Sequence, residues 1–138
     1  MDLNKFDSHD AEQQGTFMQL SDPISGAALK TEEGEPIGIV LLGPGSDKVK
    51  SISYQIQNRR VSQQFKANRK GGDGLIKAEQ LVEDEVATVA AATVDFVNVV
   101  LEGSEVDVSK AASLYERFPW IREQAIEHMN ALENYLGN

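Results

Sequence analysis

One junction constrains this chain more than any other stretch. Ile37-Gly38-Ile39-Val40-Leu41-Leu42 is a short apolar run rich in β-branched residues, bounded by Pro36 and Gly43. A run of that length with those boundaries reads as a strand rather than a buried helix. Gly43-Pro44-Gly45 then stops it, and a Ser46 or Asp47 side-chain oxygen is well placed to accept an orphan N–H of a following helix. A chain that changes from strand to helix within so few residues is a mixed fold. Gly38, inside the run, predicts a bulge or a close backbone approach.

Upstream, Thr16-Phe17-Met18-Gln19-Leu20 alternates loosely and is followed by the turn-forming Ser21-Asp22-Pro23-Ile24-Ser25-Gly26. Residues 16–42 therefore read as a small antiparallel β unit. Residues 1–15 have Leu3 and Phe6 as their large apolar side chains and read as a flexible polar arm, with docking of Phe6 on the core as the alternative.

Downstream the pattern is helical. From Lys48 to about Lys70, Val49, Ile52, Ile56 and Val61, with Tyr54 and Phe65, fit helical spacing imperfectly on a very polar segment. Gly71-Gly72-Asp73-Gly74 ends it. Leu75–Leu101 places Leu81, Val82, Val86, Val89, Ala90, Thr93, Val97 and Val100 at three- and four-residue steps, which predicts one long helix closed by Gly103. A strand through Val94–Leu101 is the competing reading. A short helix capped by Asp107 or Ser109 follows, and Phe118 before Pro119 must end it, because proline pushes the preceding residue out of the α region. Pro119 suits the first position of a last helix, with Ile121, Ala125, Met129, Leu132 and Leu136 on its buried face. The fold class expected is α+β, predominantly helical with about four helices and a small N-terminal β unit. One globular domain is expected over 16–138, with helices from 46 to 138; 138 residues are too few for two independent cores.

Composition excludes much chemistry. Without cysteine there are no disulfides, thiolate metal sites or cysteine nucleophiles. His9 and His128 are the only histidines; His9 lies in the presumed arm, and His128 with the adjacent Glu127 is not a helical metal pair, whose ligands must stand three or four residues apart. No phosphate loop or calcium loop is present. The chain is accordingly not read as an enzyme, and no cofactor or metal is expected. The first fifteen residues lack a signal-peptide core and no apolar run reaches membrane-spanning length, so a soluble intracellular protein is expected.

The net charge of −9 hides a polarity. Lys48, Lys50, Arg59, Arg60, Lys66, Arg69, Lys70 and Lys77 face one acid, Asp73, giving that segment +7 and leaving −16 elsewhere. With a Debye length of about 8 Å, a partner touching this helix feels its local field. Arg59, Arg60, Lys66 and Arg69 are thus candidate docking residues for an acidic partner or a neighbouring copy; pairing with the chain's own acidic helices is the alternative. A nucleic-acid partner is not expected, since Tyr54 and Phe65 are the segment's only stacking groups and the remainder is strongly acidic.

Leu114-Tyr115-Glu116-Arg117-Phe118-Pro119-Trp120-Ile121-Arg122-Glu123-Gln124 is a helix–proline corner–helix in which Tyr115, Phe118 and Trp120 are positioned to cluster, as a structural corner or a binding pocket. This segment resembles the C-terminal signature of tail assembly chaperones of long-tailed, lambda-like siphophages. Asp22-Pro23-Ile24-Ser25-Gly26, the strand Ile37–Leu42, Leu42-Gly43-Pro44-Gly45-Ser46-Asp47 and Val89-Ala90-Ala91-Ala92-Thr93-Val94 are similar to other parts of that family, in the same order. The resemblance spans most of residues 16–136. It implies a non-catalytic protein of the host cell cytoplasm that binds the tape measure protein, keeps it soluble, recruits tail tube protein, self-associates and is absent from the finished virion. It also implies the short form of a frameshifted pair. A structural tail or neck completion protein is the alternative.

Overall fold

The computed structural model describes residues 1–71 and 76–136. Among them are five α-helices, a three-stranded antiparallel sheet and a two-stranded ribbon, so the α+β class holds, with one helix more than the four expected because His9–Gln14 of the presumed arm is helical. Strands β1 (Thr16–Gln19) and β2 (Gly38–Leu41) pair antiparallel with Thr16 opposite Leu41 and Gln19 opposite Gly38. Gly38 is a close approach: a Cβ there would lie 2.1 Å from the Met18 carbonyl oxygen and 2.6 Å from Phe17 Cζ. The bulge falls further along, between Val40 and Leu41.

Two expectations fail at the same place. Helix α3 (Ala78–Ala92) does not continue to Leu101; the chain turns into strand β3 (Thr93–Val97), which pairs with the other edge of β2. The sheet therefore runs β1-β2-β3 and is not confined to the N-terminal unit. The cause is tertiary. Thr93-Val94 are β-branched, and β2 offers a row of unpaired N–H and C=O groups that a helix there would leave orphaned. Gly103 closes no helix: Glu102 (φ 53°) and Gly103 (φ 82°) form the two-residue turn between β4 (Val100–Leu101) and β5 (Ser104–Glu105), where positive φ at both positions matches strand twist.

Helix α2 (Asp47–Arg69) starts as expected, with Ser46 Oγ accepting the Val49 N–H at 3.3 Å. Of the predicted stop Gly71-Gly72-Asp73-Gly74 and the Leu75 start of the next helix, residues 72–75 lie outside the described residues. Asp107 caps a 3-10 turn, Val108–Lys110, leading into α4 (Ala111–Arg117), and Phe118 separates α4 from α5 (Pro119–Asn130) at φ −122°, ψ 79°. The last α-helix is shorter than expected. Leu132 is exposed on a 3-10 turn, Leu132–Tyr135, and Tyr135 takes the buried place instead, its hydroxyl donating toward the Leu41 and Leu42 carbonyls.

Residues 1–15 contain more than an arm. Leu3–Phe6 is a 3-10 turn with Phe6 exposed, while α1 (His9–Gln14) is tied to the start of α2. Glu12 Oε1 accepts the Gly45 N–H at 2.8 Å, the Glu12 carbonyl accepts from Gly43, and Gln13 Oε1 accepts from Asp47. A Cβ on Gly43 would strike Glu12 Cγ at 2.2 Å, so this stop signal is also a seat for α1.

The core gathers Met18, Leu20, Ile39, Leu41, Val49, Val86, Val89, Ala92, Phe96, Leu114, Tyr115, Ile121, Ala125 and Met129 from sheet and helices. We call this part the base. No described residue of 61–71 or 76–83 is buried. The distal parts of α2 and α3 thus stand clear of the core as a spur, with the helices antiparallel.

Candidate functional site

The two groups of candidate residues part company in the structure. Tyr115 is fully buried: its hydroxyl lies 2.6 Å from Thr93 Oγ1 and its ring is 6.2 Å from that of Phe96. Burial pushes the Tyr115 hydroxyl up to about 12, against the opposing hydrogen bond to Thr93. Phe118 and Trp120 are half-buried against the core, and Phe118 lies under the Arg117 guanidinium at 5.3 Å. Among the described residues no ring pairing joins Tyr115 to either, so the expected aromatic cluster is replaced by a Tyr115–Phe96 contact that ties α4 to β3. Tyr115 thus serves the packing of the corner, while Phe118 and Trp120 keep part of their rings at the surface.

The basic helix divides as well. Arg59 and Arg60 both turn inward to Asp84 of α3, a carboxylate only 4% exposed; Arg60 Nη2 donates at 2.8 Å. Gln80 Nε2 donates to the same carboxylate at 3.1 Å. Burial pushes the Asp84 carboxyl up, but the hydrogen bonds from Arg59, Arg60 and Gln80 outweigh it and hold the group below its ordinary value. This pair takes the intramolecular alternative: they latch α2 to α3 at the root of the spur. Lys66 and Arg69 remain exposed on the spur, Arg69 5.9 Å from the Phe65 ring centre.

Sequence reasoning missed Asp84 and Arg122. Arg122 is 9% exposed, donating from Nε to Glu85 at 2.9 Å and from Nη1 to the Tyr115 carbonyl at 3.0 Å. Asp84 had a signal: it stands four residues before Thr88, which stands four before the buried Ala92, so it shares their side of α3. A groove of about 470 Å³ opens between α2, α3 and α5, walled by Val49, Ile56, Val89, Ile126 and Met129 and edged by Arg60 and Asp84.

The imperfect periodicity of α2 resolves into two faces. Val49 and Ile56 are buried and Ile52 half-buried, whereas Tyr54, Val61 and Phe65 are 60%, 62% and 63% exposed. On α3, Leu81 and Val82 are also uncovered, at 45% and 44%. Tyr54, Val61, Phe65, Leu81 and Val82 thus leave apolar side chains open to solvent on α2 and α3. Elsewhere, His128 Nε2 lies 2.7 Å from Thr16 Oγ1 with its ring edge-on to Tyr135, and burial pulls its pKa down. No group of three or more metal-ligating side chains occurs among the described residues, and none of their helices is long and apolar enough to cross a membrane.

No family model matches the chain, and neither a curated protein nor a solved structure matches it.

Proposed function

We propose that the chain is a phage tail assembly chaperone: it binds the helical tape measure protein in the host cytoplasm, keeps it soluble and helps recruit tail tube protein. The observation that supports this reading is the outward face of α2, which leaves Tyr54, Val61 and Phe65 uncovered while Arg59 and Arg60 hold the helix to Asp84 of α3. A long helical client aggregates through its apolar faces unless they are covered, and helix-on-helix docking is the economical way to cover them. The net charge of −9 adds repulsion between loaded complexes. The client's identity comes from the resemblance of residues 114–124 and the shorter segments in order with it.

Co-expression with a tape measure protein is the test. The expected result is that the client stays soluble and co-purifies, and that purified particles lack the chaperone by mass spectrometry. A client that precipitates equally with and without this chain overturns the proposal. Stoichiometric presence in particles replaces it with the structural tail or neck component.

A further inference from the structure

The outward face of α2 has its own internal order. At about 100° per residue, Tyr54, Val61 and Phe65 fall within about 40° of one another and about 180° from Val49, Ile52 and Ile56. They form a stripe about 16 Å long at 1.5 Å rise per residue. Lys50 stands four residues before Tyr54 and Arg69 four residues after Phe65, which puts a cation on the same face at each end. Arg69 already lies over the Phe65 ring. The only acid of α2 is Asp47, beyond the stripe and held by the Gln13 amide at 2.9 Å.

We infer that this stripe docks an acidic amphipathic helix, one whose apolar side chains are bordered by Asp or Glu. The length and straightness of the stripe suit a helix laid along it rather than a compact ligand. Its charges are of one sign and sit at the two ends, where carboxylates flanking an apolar row would meet them. A nucleic acid fits less well: the centre of the stripe is Val61, which neither stacks on a base nor donates to a phosphate. Arg59 and Arg60 are not part of this surface, because Asp84 already engages them. The inference rests on the reading above for the client's identity and adds the client's chemistry.

The test uses the full chain and two labelled synthetic helices of about 20 residues, long enough to hold helical structure. Both carry the same leucine stripe; one is bordered by glutamates and the other by lysines. Fluorescence anisotropy is expected to show the glutamate peptide binding at least about tenfold more tightly, with the advantage shrinking as salt rises. Lys50→Glu with Arg69→Glu should reverse the preference. Val61→Ser with Phe65→Ser should abolish binding of both peptides while circular dichroism and the melting curve stay as in the parent chain. Equal affinities, charge reversal without effect, or binding that survives the serine pair overturns the inference. So does tighter capture of a single-stranded RNA by the same residues, or self-association that the serine pair dissolves in sedimentation. If the peptides fail while a tape measure protein still co-purifies, the docking chemistry alone is wrong. If the peptides behave as expected and no tape measure protein is retained, the client's identity alone is wrong.

Discussion

The base and the spur treat polar and apolar groups in opposite ways. In the base, buried polar atoms are paired: Thr93 with Tyr115, Tyr135 with the Leu41 and Leu42 carbonyls, Arg122 with Glu85 and the Tyr115 carbonyl. On the spur, apolar side chains lie open beside cations, and the one deeply buried group at its root is a carboxylate held by two arginines. Burying a charge is costly unless it is paired, so Asp84 in place of an apolar contact does not maximise stability. It does fix where α2 and α3 cross. The contrast separates residues that hold the fold from apolar residues the fold leaves uncovered.

The sharpest way to break that contrast is at Tyr115. Tyr115→Ala should cost about 3–5 kcal/mol, the range for emptying a buried aromatic site, and Tyr115→Phe about 1 kcal/mol for the lost hydrogen bond to Thr93. Urea unfolding measures both; a loss under about 1 kcal/mol for the alanine variant would contradict the corner's role in the base. Next comes the latch. Asp84→Ala should cost about 2 kcal/mol, below the figure for a fully buried pair because both arginines reach solvent. Hydrogen exchange should quicken across α2 beyond Arg60 and α3 before Asp84 while β2 keeps its protection. Uniform acceleration would mean that spur and base unfold as one.

Smaller still, Val61→Ser with Phe65→Ser should leave stability within about 0.5 kcal/mol of the parent, since neither side chain is packed. A melting point lowered as far as in Tyr115→Ala would place these residues in the core instead. The last prediction concerns pH. His128 has a folded pKa below 6.5, so the unfolded chain binds the extra proton first and stability falls as pH drops through the window just below 6.5. Asp84 is depressed below 3.8, so its contribution is present above 3.8 and is lost only as pH falls through that lower folded value. Acid should therefore weaken the base before it releases the latch. His128→Gln should flatten the stability profile near pH 6; a slope that persists there assigns the proton uptake to another group.

What was legible in the sequence had local causes. The Ser46 cap, the Phe118–Pro119 break and the Gly38 close approach each follow from the chemistry of a few adjacent residues, and each is found where the sequence placed it. The end of α3 at Ala92 was not legible, because Thr93–Val97 suits either period and the unpaired edge of β2, more than fifty positions upstream, decides between them. The two faces of α2 left a trace in the residues that fitted one stripe badly. The partners of Arg59 and Arg60 left less, because a lone Asp inside a Glu-rich run is indistinguishable from a solvated one until the facing helix is known.

Leu41 and Thr93 are opposite each other in the sheet, although both long helices lie between them in the chain. The two long helices therefore form a span whose two feet rest on neighbouring rungs. Lengthening both helices by one heptad beyond Arg60 and ahead of Asp84 would carry their far ends about 10 Å outward while the rungs stay put. The added closure entropy would be well under about 0.6 kcal/mol, the figure for doubling a loop. Reach is thus a dimension that can be retuned without reopening the problem of folding.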